Sequence, residues 1–426
     1  MKMMATQLTV LVCCLCLCQV CGLDWTANYL DGMKEQISVY GLQQFPEKAS
    51  ALSHDGKDFE CPGILSSPEI PTTVDRVRPG DVKIVAALGD SLTAAIGANA
   101  TNVLQIPTEY RQLSWSIGGY GNISNLISLP NIIKIFNPHV VGFAKKSTLS
   151  YKPAPLEDSG LNLAVTGANT YQLSEQVRRL IDILKSMPEN RFQEDWKVVT
   201  IFIGCNDLCD YCKDKTLFSA DSFIHYMTES LDMLQEELPR TIVNVVQVFH
   251  VHRLRQVNDL SLGCILQRTF CSCVVQPKEN SPELLEIVEV NRQFQERLEK
   301  LIQTSGRYDG KKDFAVILQP FLKDVEPAFD QEGHVDYSFF TPDCFHLTIK
   351  GHEQMAKALW NNMLQPEGEK SLLMTFSEDV KLLCPSEAHS YIYTRRIGRT
   401  TARSSAARSA VVIINLLCAA LLLLCI

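Results

Sequence analysis

The chain is poor in aromatic residues and in positive charge. Phe, Trp and Tyr make up 8% of its 426 residues, and only four are Trp. Lysine and arginine number 40, against 48 aspartates and glutamates. Setting aside Lys2 and the arginines at 395, 396, 399, 403 and 408, residues 23–394 hold 34 basic against 48 acidic side chains, a formal −14. Such a body repels polyanions, so no nucleic-acid partner and no tight hold on anionic lipid are expected. Glycine-rich phosphate loops and His-Glu-x-x-His pairs are also missing. That argues against nucleotide-driven and zinc-protease chemistry. No cofactor and no metal, calcium included, are expected. No internal repeat is apparent.

Long apolar runs are confined to the two ends. Lys2, the apolar stretch Leu8–Cys18 and the small residues near Gly22 read as a signal peptide cut before Leu23. The stretch is too short to cross a bilayer comfortably. At the other end, Ala410–Ile426 is uncharged and follows an Arg-, Ser- and Ala-rich spacer. A helix entering from outside would leave those arginines on the unfavoured side. Small residues, a spacer and an apolar tail fit a glycolipid-anchor signal, with attachment among Thr400–Ala407; a retained span is the alternative. The expected division is therefore a signal peptide over 1–22, a strap over 23–75, one main domain over 76–394, a spacer over 395–409 and an anchor region over 410–426. The expected location is the secretory pathway and the outer face of the plasma membrane.

Of 16 cysteines, five lie in the leader and two in the tail. The nine left between them are an odd number, so one at least is unpaired within the chain. In a secreted chain disulfides are the better reading of the clusters Cys209/Cys212 and Cys264/Cys271/Cys273 than zinc. Asn99-Ala-Thr101 and Asn122-Ile-Ser124 are candidate glycosylation sites.

The middle of the chain alternates two patterns. Val82–Leu88, Val198–Ile203, Ile242–Phe249 and Phe314–Leu318 are Val- and Ile-rich without clean alternation, as strands covered on both faces are. Tyr171–Met187, Ser222–Leu238, Pro282–Gln303 and Thr348–Met363 carry helical periodicity, and a further helix is expected near Trp25–Tyr40. This β–α alternation predicts an α/β domain with a mostly parallel sheet. In such sheets ligands bind at the carboxyl ends of the strands. Residues 365–394 read as a closing segment, with Cys384 stapled back to the body.

Chemistry-bearing residues follow two of those strands. Gly89-Asp90-Ser91-Leu92 comes directly after the first, and Gly204-Cys205-Asn206-Asp207 after the second. Ser91 is a hydroxyl that needs a base. His346 is a candidate base, and Asp343, three residues before it, a candidate orienter of the imidazole. The Asn206 side chain and the backbone N–H groups of Ser91 and Gly167 are candidate oxyanion donors. Gly118 and Gly119 are a second, weaker glycine choice. Taken singly, each has an ordinary reading: Ser91 or Asp90 as a helix cap, Asn206-Asp207 as a turn, His250 and His252 as a structural pair.

The order of these pieces resembles the GDSL or SGNH hydrolase family, whose blocks carry Ser, Gly, Asn and His in that sequence. Gly89–Leu92 matches its first block, Asn162-Leu163-Ala164-Val165-Thr166-Gly167 its second, Gly204–Asp207 its third and Asp343–His346 its last. The likeness is strongest to the animal phospholipase B branch, on Tyr110–Gly119, Leu129–Ile133, Asn206–Cys212 and Pro342–Leu347. The resemblance implies a three-layer α/β/α fold, with Ser91 as nucleophile, His346 as base, Asp343 as orienter, and Gly167 and Asn206 in the oxyanion hole. It also implies carboxylic ester hydrolysis without a cofactor, on phospholipids and lysophospholipids at a membrane. Cys205 is unusual inside the third block and is the first candidate for the unpaired thiol. A glycan deacetylase is the nearest enzymatic alternative; an inactive surface-binding ectodomain is the other.

Overall fold

The computed structural model describes residues 59–61, 66–258, 261–376 and 380–394, together with positions 27 and 31. The leader, most of the helix expected near residues 25–40 and everything after residue 394 lie outside these residues; Ala27 and Asp31, within that expected helix, are helical.

Four strands form one parallel sheet: β1 (Val82–Gly89), β4 (Trp196–Phe202), β5 (Thr241–Val246) and β6 (Phe314–Gln319), in the order β1-β4-β5-β6. Almost every residue in them is buried. That double-sided burial is why their sequences read as unbroken Val and Ile runs. A short ribbon of β2 (Thr108–Glu109) and β3 (Thr148–Leu149) stands apart from the sheet.

The outer edge of β1 is not left open. Val85 N–H donates to Val141, and Ala87 N–H to Leu161; Leu163 and Val165 donate back to Ala87 and Gly89. Two broken extended pieces, around residue 141 and over 161–165, thus take the place of a fifth strand. They satisfy edge groups that would otherwise invite pairing with another chain.

Helices cover both faces. Leu173–Lys185, Ala220–Glu237 and Pro282–Glu299 pack side by side, with Phe223 stacked on Phe294 at 4.1 Å between ring centroids. Leu129–Phe136 and Ile349–Met363 pack together, with Phe136 stacked on Trp360 at 5.5 Å. The result is a three-layer α/β/α domain. The helix starts are set locally. Ser128, Ser219 and Ser281 each accept a hydrogen bond from the backbone N–H three residues on, and Pro130 and Pro282 sit in first turns. The expected helix over 282–303 ends at Glu299 and continues as a π-type turn through Thr304.

The closing segment is tied down at several points. Cys384 is bonded to Cys61 across 323 residues of sequence. Trp360 donates its indole N–H to Leu383 O, and Ile392 N–H pairs with Val77 O. Among the described residues, no helix is long and apolar enough to cross a membrane.

Candidate active site

The carboxyl ends of β1 and β4 converge on one spot. Gly89 closes β1 so near to β4 that a Cβ there would lie 2.2 Å from Phe202 O; only glycine fits. Next, Asp90 caps the short helix Ser91–Ala94 by accepting from Leu92 N–H at 2.9 Å. Cap and candidate nucleophile are therefore neighbouring residues with separate tasks. Ser91 is the first residue of that helix, where a backbone N–H has no intrahelical acceptor. Trp115 Nε1 donates to Leu92 O and Ser114 Oγ to Thr93 O, which fixes the turn from outside.

His346 arrives from the opposite end of the chain. Its Nε2 lies 2.8 Å from Ser91 Oγ, and its Nδ1 2.7 Å from Asp343 Oδ2. Asp343 Oδ1 accepts from Thr341 Oγ1 and from the backbone N–H groups of Phe345 and His346. All three side chains are buried: Ser91 3%, Asp343 2% and His346 3% exposed. Burial pushes the Asp343 carboxyl up, but the charge of His346 and the hydrogen bonds from His346 and Thr341 outweigh it and hold the group at about 2. Asp343 is thus an anion throughout the working range, and the imidazole is oriented by it. Cys344, between the two, has φ 57°, a left-handed conformation unusual for a residue with a side chain. A disulfide to Cys264 anchors it.

The candidate oxyanion donors lie on segments at the same end of the sheet: Val165, two residues before Gly167, donates its N–H to Gly89 O, and Asn206 follows β4. Gly167 has φ 81°, which glycine adopts without strain, and its N–H makes no hydrogen bond within the described residues. Asn206 lies in the short helix Cys205–Asp210 and donates one amide hydrogen to Ala168 O at 2.9 Å. Among the described residues that amide has no second acceptor. Gly118 and Gly119 are ruled out as donors, because their N–H groups are bound to Ser114 O and Ala144 O. His250 and His252 face each other at 5.7 Å, outside the Ser91–His346–Asp343 chain.

Several supporting residues escape a reading of motifs. Gln176 reaches from its helix to bracket Gly89, accepting from its N–H at 2.8 Å and donating to its carbonyl at 2.9 Å. Asp207 accepts from the N–H and hydroxyl of Thr170, locking the third block onto the second. Burial raises Asp207 to about 7, against those hydrogen bonds, and raises Asp90 to about 7 as well. The one sequence signal for Gln176 is a polar side chain inside the apolar stripe of Leu173, Val177 and Leu180.

Disulfides tie these loops to one another. Cys209–Cys271 and Cys212–Cys273 hold the Asn206 helix to residues 271–273, and Cys264–Cys344 holds the same region to the His346 loop. The clustered cysteines are bridged pairs, and Cys205 is a buried free thiol. Burial pushes that thiol well up, so it is poorly nucleophilic. Asn99 and Asn122 are both exposed.

Residues 85–359 match the family model described as GDSL-like lipase/acylhydrolase. Over 371 residues, 86% of the chain, the sequence is 41% identical to human "Phospholipase B1, membrane-associated". It is 42% identical over 364 residues to the rat protein of the same name and 43% over 352 residues to the mouse one, covering 84% and 80% of the chain. The matched segment spans about a quarter of the length of these relatives, 25%, 25% and 23% respectively. A solved acetyl esterase aligns over 93% of its own length and 65% of this chain, at 14% identity and a TM-score of 0.33. With the family match over most of the domain and its sequence blocks converging on one buried spot, the chain belongs to the GDSL-like lipase/acylhydrolase family of carboxylic ester hydrolases.

Proposed function

We propose that the chain hydrolyses the acyl esters of phospholipids and lysophospholipids at a membrane surface. The observation that carries it is the continuous Ser91–His346–Asp343 chain of 2.8 and 2.7 Å hydrogen bonds. His346 Nε2 takes the Ser91 proton as Oγ attacks the ester carbonyl. The carbonyl oxygen gains negative charge, and the N–H groups of Ser91 and Gly167 with the Asn206 amide stabilise it. His346 then protonates the departing alcohol, and water activated by the same nitrogen releases the fatty acid.

Two things favour lipid over sugar esters. The relatives are named as membrane-associated phospholipases. A mostly apolar cleft also adjoins the site, lined by Leu92, Phe249, Leu254, Val257, Phe345 and Met355, with Arg253 and Glu326 among its other walls. Leu92 and Phe345 flank Ser91 and His346 in sequence, so an acyl chain lying in the cleft would have its ester end near the triad. Apolar walls suit a hydrocarbon tail and offer little to an acetylated sugar.

A panel of phosphatidylcholine, lysophosphatidylcholine, triglyceride and an acetylated sugar is the test. Turnover of the two phosphatides well above the sugar is expected; the reverse order would hand the site to the deacetylase reading. The reading also includes a secreted, glycosylated protein carrying Asn99 and Asn122 glycans, tethered through its apolar tail by a glycolipid. Release of the protein from intact cells by a phosphatidylinositol-specific phospholipase C is expected. Full retention would replace the glycolipid by a membrane span.

A further inference from the structure

The stretch Tyr110–Gly119 is not explained by the triad, yet its Arg111 is the most heavily engaged side chain near the site. Arg111 is 4% exposed and its ion-pair partner Glu109 2%. Nε and Nη2 donate to Glu109 Oε2, at 3.0 and 2.8 Å, and Nε also to Thr148 Oγ1 at 2.8 Å. Nη1 donates to both the backbone O and the side-chain Oδ1 of Asn162, at 2.9 and 3.0 Å, and Nη2 to Ala164 O at 3.0 Å. Glu109 Oε1 in turn accepts from Thr166 Oγ1 at 2.7 Å. The pair therefore grips residues 162, 164 and 166, the three positions that lead into Gly167. Asn162 Nδ2 passes the hold on to Thr93 O, on the helix that begins with Ser91.

Burying an ion pair this completely is costly, and it is retained only where every donor and acceptor is used. A segment whose sole task was to cover the β1 edge would need only its backbone hydrogen bonds. Here the guanidinium fork adds a fixed distance between residues 162–166 and the Ser91 helix, which sets where the Gly167 N–H stands relative to Ser91 Oγ. We propose that the Glu109–Arg111 pair is a positioning device for the Gly167 oxyanion donor; this rests on the proposed ester-hydrolase site. Lysine cannot reproduce a planar fork that serves five acceptor atoms on four residues at once.

Arg111→Lys, Thr166→Val and Asn206→Ala are to be compared in the full chain on a soluble short-chain ester. Each is also titrated with an alkyl boronate, which forms a tetrahedral anion on Ser91, and with a non-hydrolysable ether analogue. In Arg111→Lys, kcat is expected to fall roughly 10- to 100-fold, the range of a misplaced oxyanion donor, with boronate affinity falling in parallel. KM and ether affinity should stay within about threefold, since the lost contact acts only in the transition state. Thr166→Val removes a single hydroxyl and should show the same split at roughly 5- to 10-fold, less than the loss of a whole donor, with a melting temperature lowered by only a few degrees because Glu109 Oε1 loses that partner. It decides the matter if Arg111→Lys does not fold. Folded variants that keep kcat and boronate affinity overturn the proposal, as do variants that lose KM and ether affinity by the same factor as kcat. Asn206→Ala separates the two levels. A drop of about a hundredfold there, beside unaffected Arg111 and Thr166 variants, refutes the positioning role alone; no drop there refutes the oxyanion reading beneath it.

Discussion

Ser91→Ala should lower ester turnover by roughly four orders of magnitude or more, the scale at which serine hydrolases lose rate without their nucleophile. The reason is in the geometry around one oxygen. Ser91 Oγ is the atom within 2.8 Å of His346 Nε2, and the side chain is 3% exposed. The other nucleophile type near the site, the Cys205 thiol, is buried, and burial pushes its ionisation well up, so it offers no substitute. Alanine leaves the cap untouched, because Asp90 rather than Ser91 accepts from Leu92 N–H. The variant should therefore fold, bind lipid and melt near the parent temperature. Two measurements check this: turnover of lysophosphatidylcholine, and labelling by a fluorophosphonate, which should vanish. A folded Ser91→Ala protein with full esterase activity would sink the mechanism.

The sheet and its long helices were legible because their burial is regular. β1, β4, β5 and β6 are covered on both faces, so Val and Ile runs mark them to within two or three residues. Ser91 and Asn206 were legible for a related reason: each directly follows such a run, at the strand end where parallel sheets bind ligands. The irregular edge of β1 was not. Residues 140–142 and 161–165 hold single hydrogen-bonded steps rather than a strand, and nothing periodic announces them. Arg111 was visible only as part of a family-like stretch, because its partners at 148, 162 and 164 are brought in by the fold and not by sequence spacing. The same holds for the disulfides. An odd count of nine foretold at least one unpaired thiol and Cys384 was expected to be stapled back, whereas its partner Cys61 is set by how the fold brings residues 323 positions apart together.

Asp343→Asn should cost on the order of 10⁴-fold in kcat near neutral pH while leaving the fold in place. Asparagine is nearly the same size and still accepts through its oxygen from Thr341 Oγ1 and the two backbone N–H groups that now bind Asp343 Oδ1. Its amide nitrogen then faces His346 Nδ1 in place of Oδ2. Two donors cannot share that 2.7 Å contact, so Nδ1 must become the acceptor and the ring proton moves to Nε2. In that tautomer Nε2 cannot take the Ser91 proton, and no anion remains to stabilise the imidazolium. The pH dependence follows from the carboxyl's depressed value of about 2. A group lowered in the folded state adds stability above its unfolded carboxylate range, and that stability is lost as pH falls toward about 2. Asp343 should accordingly contribute no limb to the rate profile above roughly pH 3, and the Asn variant should lose part of the parent's acid-range stability change. Acid unfolding of parent and variant reads the second effect; turnover from pH 5 to 9 reads the first. An Asn variant with parental kcat at neutral pH would show that His346 is oriented by its backbone and not by this carboxylate.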